Sequence, residues 1–242
     1  GSERVVVSPI PGTTRDAVDS LLEKDGKRYL FVDTAGIRRV RLLKENVDHV
    51  SVLQARKSIE HADVAILVVD AAEGLREMDA TIGGYVQEAG RAAVIAVNKW
   101  DQAKDLSRKQ KAFLEEVRDH LRFLAFAPVL FVSAASGQGM GALLRAAERV
   151  QEAARTRVTT GQLNRVLAKA VAAHAPKAAK GNKPVKILYG TQVGVAPPTF
   201  MLALNHPVEL HFSYKRYLEN QIRGAFGFEG APLVLKVRVR PH

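Results

Sequence analysis

Three short strings in the chain carry residue types and spacings that could do chemistry. Asp33-Thr34-Ala35-Gly36 closes an apolar run. There a carboxylate is placed to hold Mg²⁺ through water, and the glycine lets a backbone N–H approach a terminal phosphate with no Cβ in the way. Asn98-Lys99-Trp100-Asp101 closes a second apolar run. Its Asp101 could accept two hydrogen bonds from the N1–H and 2-amino group of guanine, and adenine, lacking both donors there, would leave the carboxylate unpaired. Asn98 and Lys99 would tie the base loop to its neighbours and cover the ring. Ser133-Ala134 closes a third run, where a backbone N–H can meet guanine O6. Each string taken singly also reads as an ordinary strand-end turn; the three in this order do not read as coincidence.

Such strings need elements that bring them to one edge. Lys27 to Asp33, Asp63 to Asp70, Ala92 to Asn98 and Pro128 to Ser133 are short runs rich in Val, Ile, Leu and Phe, which suits strands buried on both faces of a parallel sheet. Helix-length segments fall between them, at Val47 to His61, Leu75 to Gly90, Ser107 to Leu124 and Gly139 to Arg155. The alternation predicts an α/β, doubly wound domain over residues 1–156, with its ligand at the carboxyl ends of the strands.

The pattern changes near residue 156. Thr159 opens a T-x-x-Q capping box with Gln162, followed by the helical stripe Leu163, Val166, Leu167, Ala170, Val171. A basic loop from His174 to Pro184 precedes two strand-like runs, Val185 to Gln192 and Thr199 to Asn205, bent apart by Pro197 and Pro198. Tyr214, Leu218, Ile222 and Phe226 then share a helix face, with Arg216, Asn220 and Arg223 on another. The last strand alternates Leu233, Leu235, Val237, Val239 inward with Lys236, Arg238, Arg240 outward. The order α-β-β-α-β predicts a small α+β domain over residues 157–242.

Composition locates the charge. Of 242 residues, 36 are Lys or Arg and 25 Asp or Glu, a net charge of +11. Residues 1–154 hold 22 of each sign and residues 155–242 hold 14 basic against 3 acidic, so the whole excess lies in the last third. That asymmetry points to a polyanionic partner for the basic domain, nucleic acid before membrane. At 47% hydrophobic and 25% charged, the chain suits neither disorder nor a coiled-coil rod. No apolar run approaches the roughly 20 residues of a transmembrane helix. The absence of cysteine excludes disulfides and thiolate metal sites, and the cytoplasm is the expected compartment.

The ordered strings D-T-A-G, N-K-W-D and S-A, preceded by Pro11-Gly12-Thr13-Thr14-Arg15-Asp16, resemble the Era-like branch of translation-factor-class GTPases. Lys186 to Asn205 and His211 to Gly230 narrow the resemblance to the Der (or EngA) family of bacterial ribosome-assembly GTPases, which carry two tandem Ras-like G domains and a C-terminal KH-like domain. The likeness runs from Ser2 to about Arg240. It implies a GTP-binding, GTP-hydrolysing switch in assembly of the large (50S) ribosomal subunit, with GTP/GDP and Mg²⁺, and possible use of a monovalent cation such as K⁺. It implies rRNA as partner and docking of G domain on KH-like domain, with a monomer expected.

Residue by residue, the resemblance implies that Thr13 or Thr14, with Thr14 preferred, and Asp33 hold the metal and that Thr14, Asp33 and Gly36 form the catalytic set. The nucleotide would be bound by Asp33, Thr34, Ala35, Gly36, Ile37, Asn98, Lys99, Trp100, Asp101, Ser133 and Ala134. Ile37 stands where Ras-like enzymes carry a water-orienting glutamine; it cannot hydrogen-bond that water, so another group or a cation would stabilise the transition state, or Ile37 is a hydrophobic lid. For RNA the candidates are Lys177, Lys180, Lys183, Arg216, Arg223, Lys236, Arg238 and Arg240, through phosphate contacts. The same face could instead pack against a G domain of the chain. Gly224-Ala225-Phe226-Gly227 has the letters of a KH backbone clamp but reads as a helix stop. No G-x-x-x-x-G-K-[ST] occurs in the sequence. The expectation is therefore a G domain whose phosphate loop lies upstream of Gly1, and activity belongs to the intact protein. The alternative reading is an RNA- or ribosome-binding module in which the G-domain remnant is a non-catalytic scaffold.

Overall fold

Val64–Asp70 and Ala92–Asn98 are apolar at nearly every position, which suits burial, and the computed structural model makes them the neighbouring parallel strands β4 and β5; β5 is buried from Ala92 to Val97, while β4 leaves Val68 exposed. It describes residues 6–9, 20–32, 56–102, 106–177 and 184–239. The chain divides into two units, residues 1–62 and 63–242.

In the first unit, β1 (Val6–Pro9), β2 (Ser20–Lys24) and β3 (Lys27–Phe31) form an antiparallel ribbon in the order β1-β2-β3. Asp25 and Gly26 make the β2–β3 turn at φ of 51° and 72°, the paired positive values of a type I′ hairpin. The expectation of a two-face-buried parallel strand at Lys27 to Asp33 is corrected here. The strand is antiparallel, its burial is mostly slight, and the Asp-Gly dipeptide ahead of it was the signal for a hairpin.

In the second unit, β6 (Val129–Phe131) joins β4 and β5 in a parallel sheet of order β4-β5-β6. Helix α1 (Glu77–Glu88), α2 (Leu106–His120) and α3 (Met140–Arg155) connect or follow these strands. The pleat sends Ala92, Val94 and Ala96 to one face, where they join Leu143, Ala146 and Val150 of α3 in a common core. Ala93, Ile95 and Val97 turn to the other face and are equally buried, as are Val86, Val117, Leu121 and Leu124. Helices therefore cover both faces, as a doubly wound sheet requires.

The basic segment supplies α4 (Thr160–Ala173), β7 (Ile187–Gly194), β8 (Thr199–Leu204), α5 (Phe212–Phe226) and β9 (Val234–Val239). The order α-β-β-α-β is the expected one. Its capping box is in place, with Thr159 Oγ1 accepting from Gln162 N at 3.3 Å and Gln162 Oε1 accepting from Thr159 N at 3.3 Å. Gly227 ends α5 in the left-handed region at φ 72°, so the Gly224–Gly227 letters are a helix stop. Strand β8 pairs antiparallel with β7 and parallel with β9.

One hydrophobic core runs through the second unit without a break at residue 156. It passes from Val94, Leu143 and Val150 to Leu163, Leu167, Phe200, Leu218, Ile222 and Phe228. Truncating such a leucine to alanine costs about 2–5 kcal/mol. Among the described residues no helix is long and apolar enough to cross a membrane, and no group of three His, Asp or Glu could hold a metal ion.

Candidate functional site

The strand ends converge as the alternation predicted. Asp70, the last residue of β4, lies in register with Asn98, the last of β5, and the next amide, Ala71 N–H, donates to Asn98 O at 2.9 Å. Val97 faces Phe131 across the β5–β6 pair, which brings Ser133 and Ala134 alongside. The carboxyl edge is thus built from three consecutive parallel strands, where open α/β sheets place ligands.

Asn98 acts as the tie across that edge. Its Oδ1 accepts the Ala134 N–H at 3.0 Å, binding the β5 loop to the β6 loop. Lys99 sits at φ 61°, a left-handed conformation that costs a non-glycine residue about 1–2 kcal/mol. Its Nζ reaches Asp70 Oδ2 at 2.7 Å, with the Lys side chain 48% and the Asp side chain 5% exposed. Asp70 Oδ1 also accepts Ala72 N–H at 2.9 Å. Burial alone would raise the Asp70 carboxyl, but the hydrogen bond and charge of Lys99 and the Ala72 and Glu73 amides outweigh it, holding it below the ordinary carboxylate value. Asp70 was missed from the sequence, although its place at a strand end in register with Asn98 was the available signal.

Asp101 follows on a short helical turn, Trp100–Gln102, with its side chain exposed. No partner holds that carboxylate among the described residues, so its acceptor capacity faces solvent. Trp100 points the other way. Only 6% exposed, its indole lies 4.4 Å from the Phe131 ring centroid and 6.0 Å from that of Phe113, and its N–H backbone donates to Val132 O at 3.1 Å. The nucleotide-binding role expected of Trp100 is therefore replaced by that of a buried anchor beneath the loop, because so large an apolar ring gains more from burial.

Ser133 is fully buried; its N–H donates to Gln138 O at 2.9 Å and its Oγ accepts Ser136 N–H at 3.2 Å, which curls the loop after β6. Gly139 closes that curl at φ 76°, where a Cβ would lie 2.8 Å from Phe131 O. Both backbone N–H groups that could meet guanine O6 are engaged in this structure, that of Ser133 by Gln138 O and that of Ala134 by Asn98 Oδ1. Thr14, Asp33, Thr34, Ala35, Gly36 and Ile37 lie outside the described residues.

At the opposite, amino edge of the sheet the basic segment is fastened by backbone. Ala93 N–H donates to Gly230 O at 2.8 Å, Gly230 N–H donates to Phe126 O at 2.8 Å, and Ala196 N–H donates to Ala154 O at 2.9 Å. Gly230 sits at φ 69° with a would-be Cβ 2.0 Å from Val150 Cγ1, so only glycine fits. Arg223 completes this fastening: its guanidinium donates to Phe228 O and, at 2.9 Å, to Ala231 O, and lies 5.5 Å from the Phe126 ring centroid. The side chain expected to face RNA is thus turned inward. Arg118 holds the same loop from α2, donating to Ala125 O at 3.1 Å and Ala127 O at 2.9 Å.

Of the other RNA candidates, Lys177, Arg216, Lys236 and Arg238 are exposed, while Lys180, Lys183 and Arg240 lie outside the described residues. Tyr214 and Tyr217 donate their hydroxyls to His174 O at 2.8 Å and Ala170 O at 3.0 Å, pinning the end of α4 where the basic loop begins.

Comparison with known proteins follows the same division. The family model described as the KH-domain-like of EngA bacterial GTPase enzymes, C-terminal, matches residues 157–238, and that described as 50S ribosome-binding GTPase matches residues 1–99. A GTPase Der of Caldanaerobacter subterraneus subsp. tengcongensis is 48% identical over 240 residues, 99% of this chain and 54% of that protein. The chain belongs to the Der family of GTPases. A second GTPase Der, of Moorella thermoacetica, is 48% identical over 98% of this chain and 54% of its own length. The chain spans about half the length of the curated Der relatives it matches. Among solved structures, Aquifex aeolicus Era bound to GDP and AlF4⁻ aligns with a TM-score of 0.47 and 19% identity, covering 98% of this chain and 84% of that one.

Proposed function

We propose that this Der-family protein is a GTP-binding, GTP-hydrolysing switch in ribosome biogenesis, acting in the cytoplasm as a monomer and assisting assembly of the large (50S) subunit by contacting its rRNA. The observation that carries the reading is the exposed Asp101 carboxylate, with no partner among the described residues, on a loop braced by Asn98–Ala134 and Lys99–Asp70. Preorganised acceptors of that kind discriminate by the cost of leaving a polar group unpaired with the wrong base. Asp101 would take guanine N1–H and the 2-amino group, and Lys99 would lie over the ring.

Mg²⁺, and a monovalent cation such as K⁺, would supply charge neutralisation at the phosphates, with Thr14 and Asp33 as the metal's protein ligands by motif. In this reading residues 1–156 form the nucleotide domain and residues 157–242 the basic KH-like domain. Support comes from the non-helical stretch at 156–159 between α3 and α4 and from the 14-to-3 charge imbalance over residues 155–242. RNA contact is assigned to Lys177, Lys180, Lys183, Arg216, Lys236, Arg238 and Arg240, leaving Arg223 as packing.

Co-sedimentation of the full-length Der-family protein with isolated 50S particles tests this. Binding should differ between a non-hydrolysable GTP analogue and GDP, weaken steeply with salt, and fall when Lys236 and Arg238 are both changed to alanine. Salt-insensitive binding that ignores the nucleotide would overturn it.

A further inference from the structure

Among the described residues, helices α4 and α5 pack on one face of the β7-β8-β9 sheet, where Leu163, Leu167, Leu218 and Ile222 join Phe200, Leu202 and Leu204 in the core. Register places Gly190, Leu202 and Val237 together on the helix side, and α4 comes so close that a Cβ on Gly190 would lie 2.5 Å from Leu167 Cδ1. On the other side the same register aligns Tyr189, Ala203 and Arg238 in one row and Thr191, Met201 and Lys236 in the next. Arg238 donates to the Tyr189 hydroxyl and lies over its ring, 5.4 Å from the centroid. Lys236 and Arg238 are exposed and Tyr189 and Met201 half-buried. The Thr191 hydroxyl, 3.4 Å from that of Thr160, marks the border with α4. None of the three strands contains an acidic residue.

A guanidinium bonded to the hydroxyl of an aromatic ring and 5.4 Å from its centroid, beside a polarizable Met, offers cationic and π surfaces to a base. Bases can use those planes only when unpaired, since a duplex hides its faces in the stack. Lys236 and Arg238, two residues apart on one strand face and so about 6.6 Å apart, add phosphate contacts alongside. The side chains are thus arranged for stacking as well as for charge, which a phosphate-only surface does not need.

We propose that the open face of the β7-β8-β9 sheet is a single-stranded RNA site, where unpaired bases stack on the Arg238–Tyr189 pair and on Met201 while Lys236 meets the backbone. The proposal rests on the reading of the basic domain as an RNA-binding domain and names the form of RNA it takes.

The 242-residue chain would be titrated with a short unpaired oligoribonucleotide and with a duplex of equal length, at fixed salt. Tyr189→Leu should weaken single-strand binding roughly tenfold and leave duplex binding within about twofold, while Tyr189→Phe, which keeps the ring, should bind as the unaltered chain does. Far-ultraviolet circular dichroism checks that each variant is folded. Photocrosslinking of 5-bromouracil RNA to the unaltered chain, which needs no variant, should map to Tyr189 or Met201. Equal loss for duplex and single strand, or full single-strand affinity in Tyr189→Leu with crosslinks elsewhere, would overturn the proposal while leaving RNA binding intact. Binding of neither RNA by the unaltered chain would overturn this inference and the functional reading's RNA component together.

Discussion

The two ends of strand β5 are built from opposite materials. At the carboxyl end, Asn98 and Lys99 are held by side-chain contacts, to Ala134 N–H and to Asp70, and the Asp101 side chain is exposed. At the amino end, roughly 17 Å away over five residues, Ala93 is locked to Gly230 by backbone, and a glycine-tight contact leaves no room for a Cβ. The first arrangement suits an event that must reverse; the second suits permanent docking. Under the proposed reading, a nucleotide at the carboxyl edge of the neutral residues 1–154 and an RNA on the basic residues 155–242 bind without either field spoiling the other.

That contrast is broken most forcefully at Gly230. Gly230→Val adds bulk 2.0 Å from Val150 Cγ1 at a positive φ and should cost about 3–5 kcal/mol in urea unfolding. A loss under about 1 kcal/mol would mean the docking edge is soft. Next in size, Arg223→Met leaves two carbonyls without their donor and should cost about 2–3 kcal/mol, with guanine-nucleotide selectivity unchanged.

Asp70→Asn acts at the other end. Unfolding stability should fall modestly at neutral pH, where the ionised carboxylate holds Lys99 and the Ala72 amide, and GTP affinity should fall severalfold as Lys99 loses its fixed position, measured by titration calorimetry on the full-length protein. Because the folded carboxyl titrates below its ordinary value, Asp70 contributes stability above about pH 4 that is lost as pH falls through the depressed value. The acid limb of the unfolding profile should therefore flatten in Asp70→Asn. The smallest effect is at Glu219, whose carboxyl is raised by burial despite the charges of Arg223, Arg216 and Lys215. Its ionised form opposes folding at neutral pH, so Glu219→Gln should raise the melting temperature slightly at pH 7 and not below pH 4.

What could be read from the sequence was what local pattern determines. The apolar runs of β4 and β5, the Thr159–Gln162 capping box and the stop at Gly227 each follow from a few adjacent residues, and N-K-W-D and S-A fall together at the carboxyl edge, while D-T-A-G lies outside the described residues. Tertiary geometry decided the rest. Arg223 shares its helix face pattern with exposed residues, and only the fold brings the Phe228 and Ala231 carbonyls to it. Trp100 sits inside a motif of ligand-facing residues, yet Phe131 and Phe113 lie beneath it. Gly230 reads as a turn glycine until Val150 is placed against it. The continuity of the core past residue 156 is likewise invisible in a sequence whose charge changes there.

The base-reading role of the carboxyl edge is tested most directly by measuring GTP and XTP affinity for the full-length protein and its Asp101→Asn variant. Guanine and xanthine differ at the position where the carboxylate meets the 2-amino group, so the variant should lose GTP affinity by at least about tenfold and gain XTP. Unchanged preference for GTP would contradict the account.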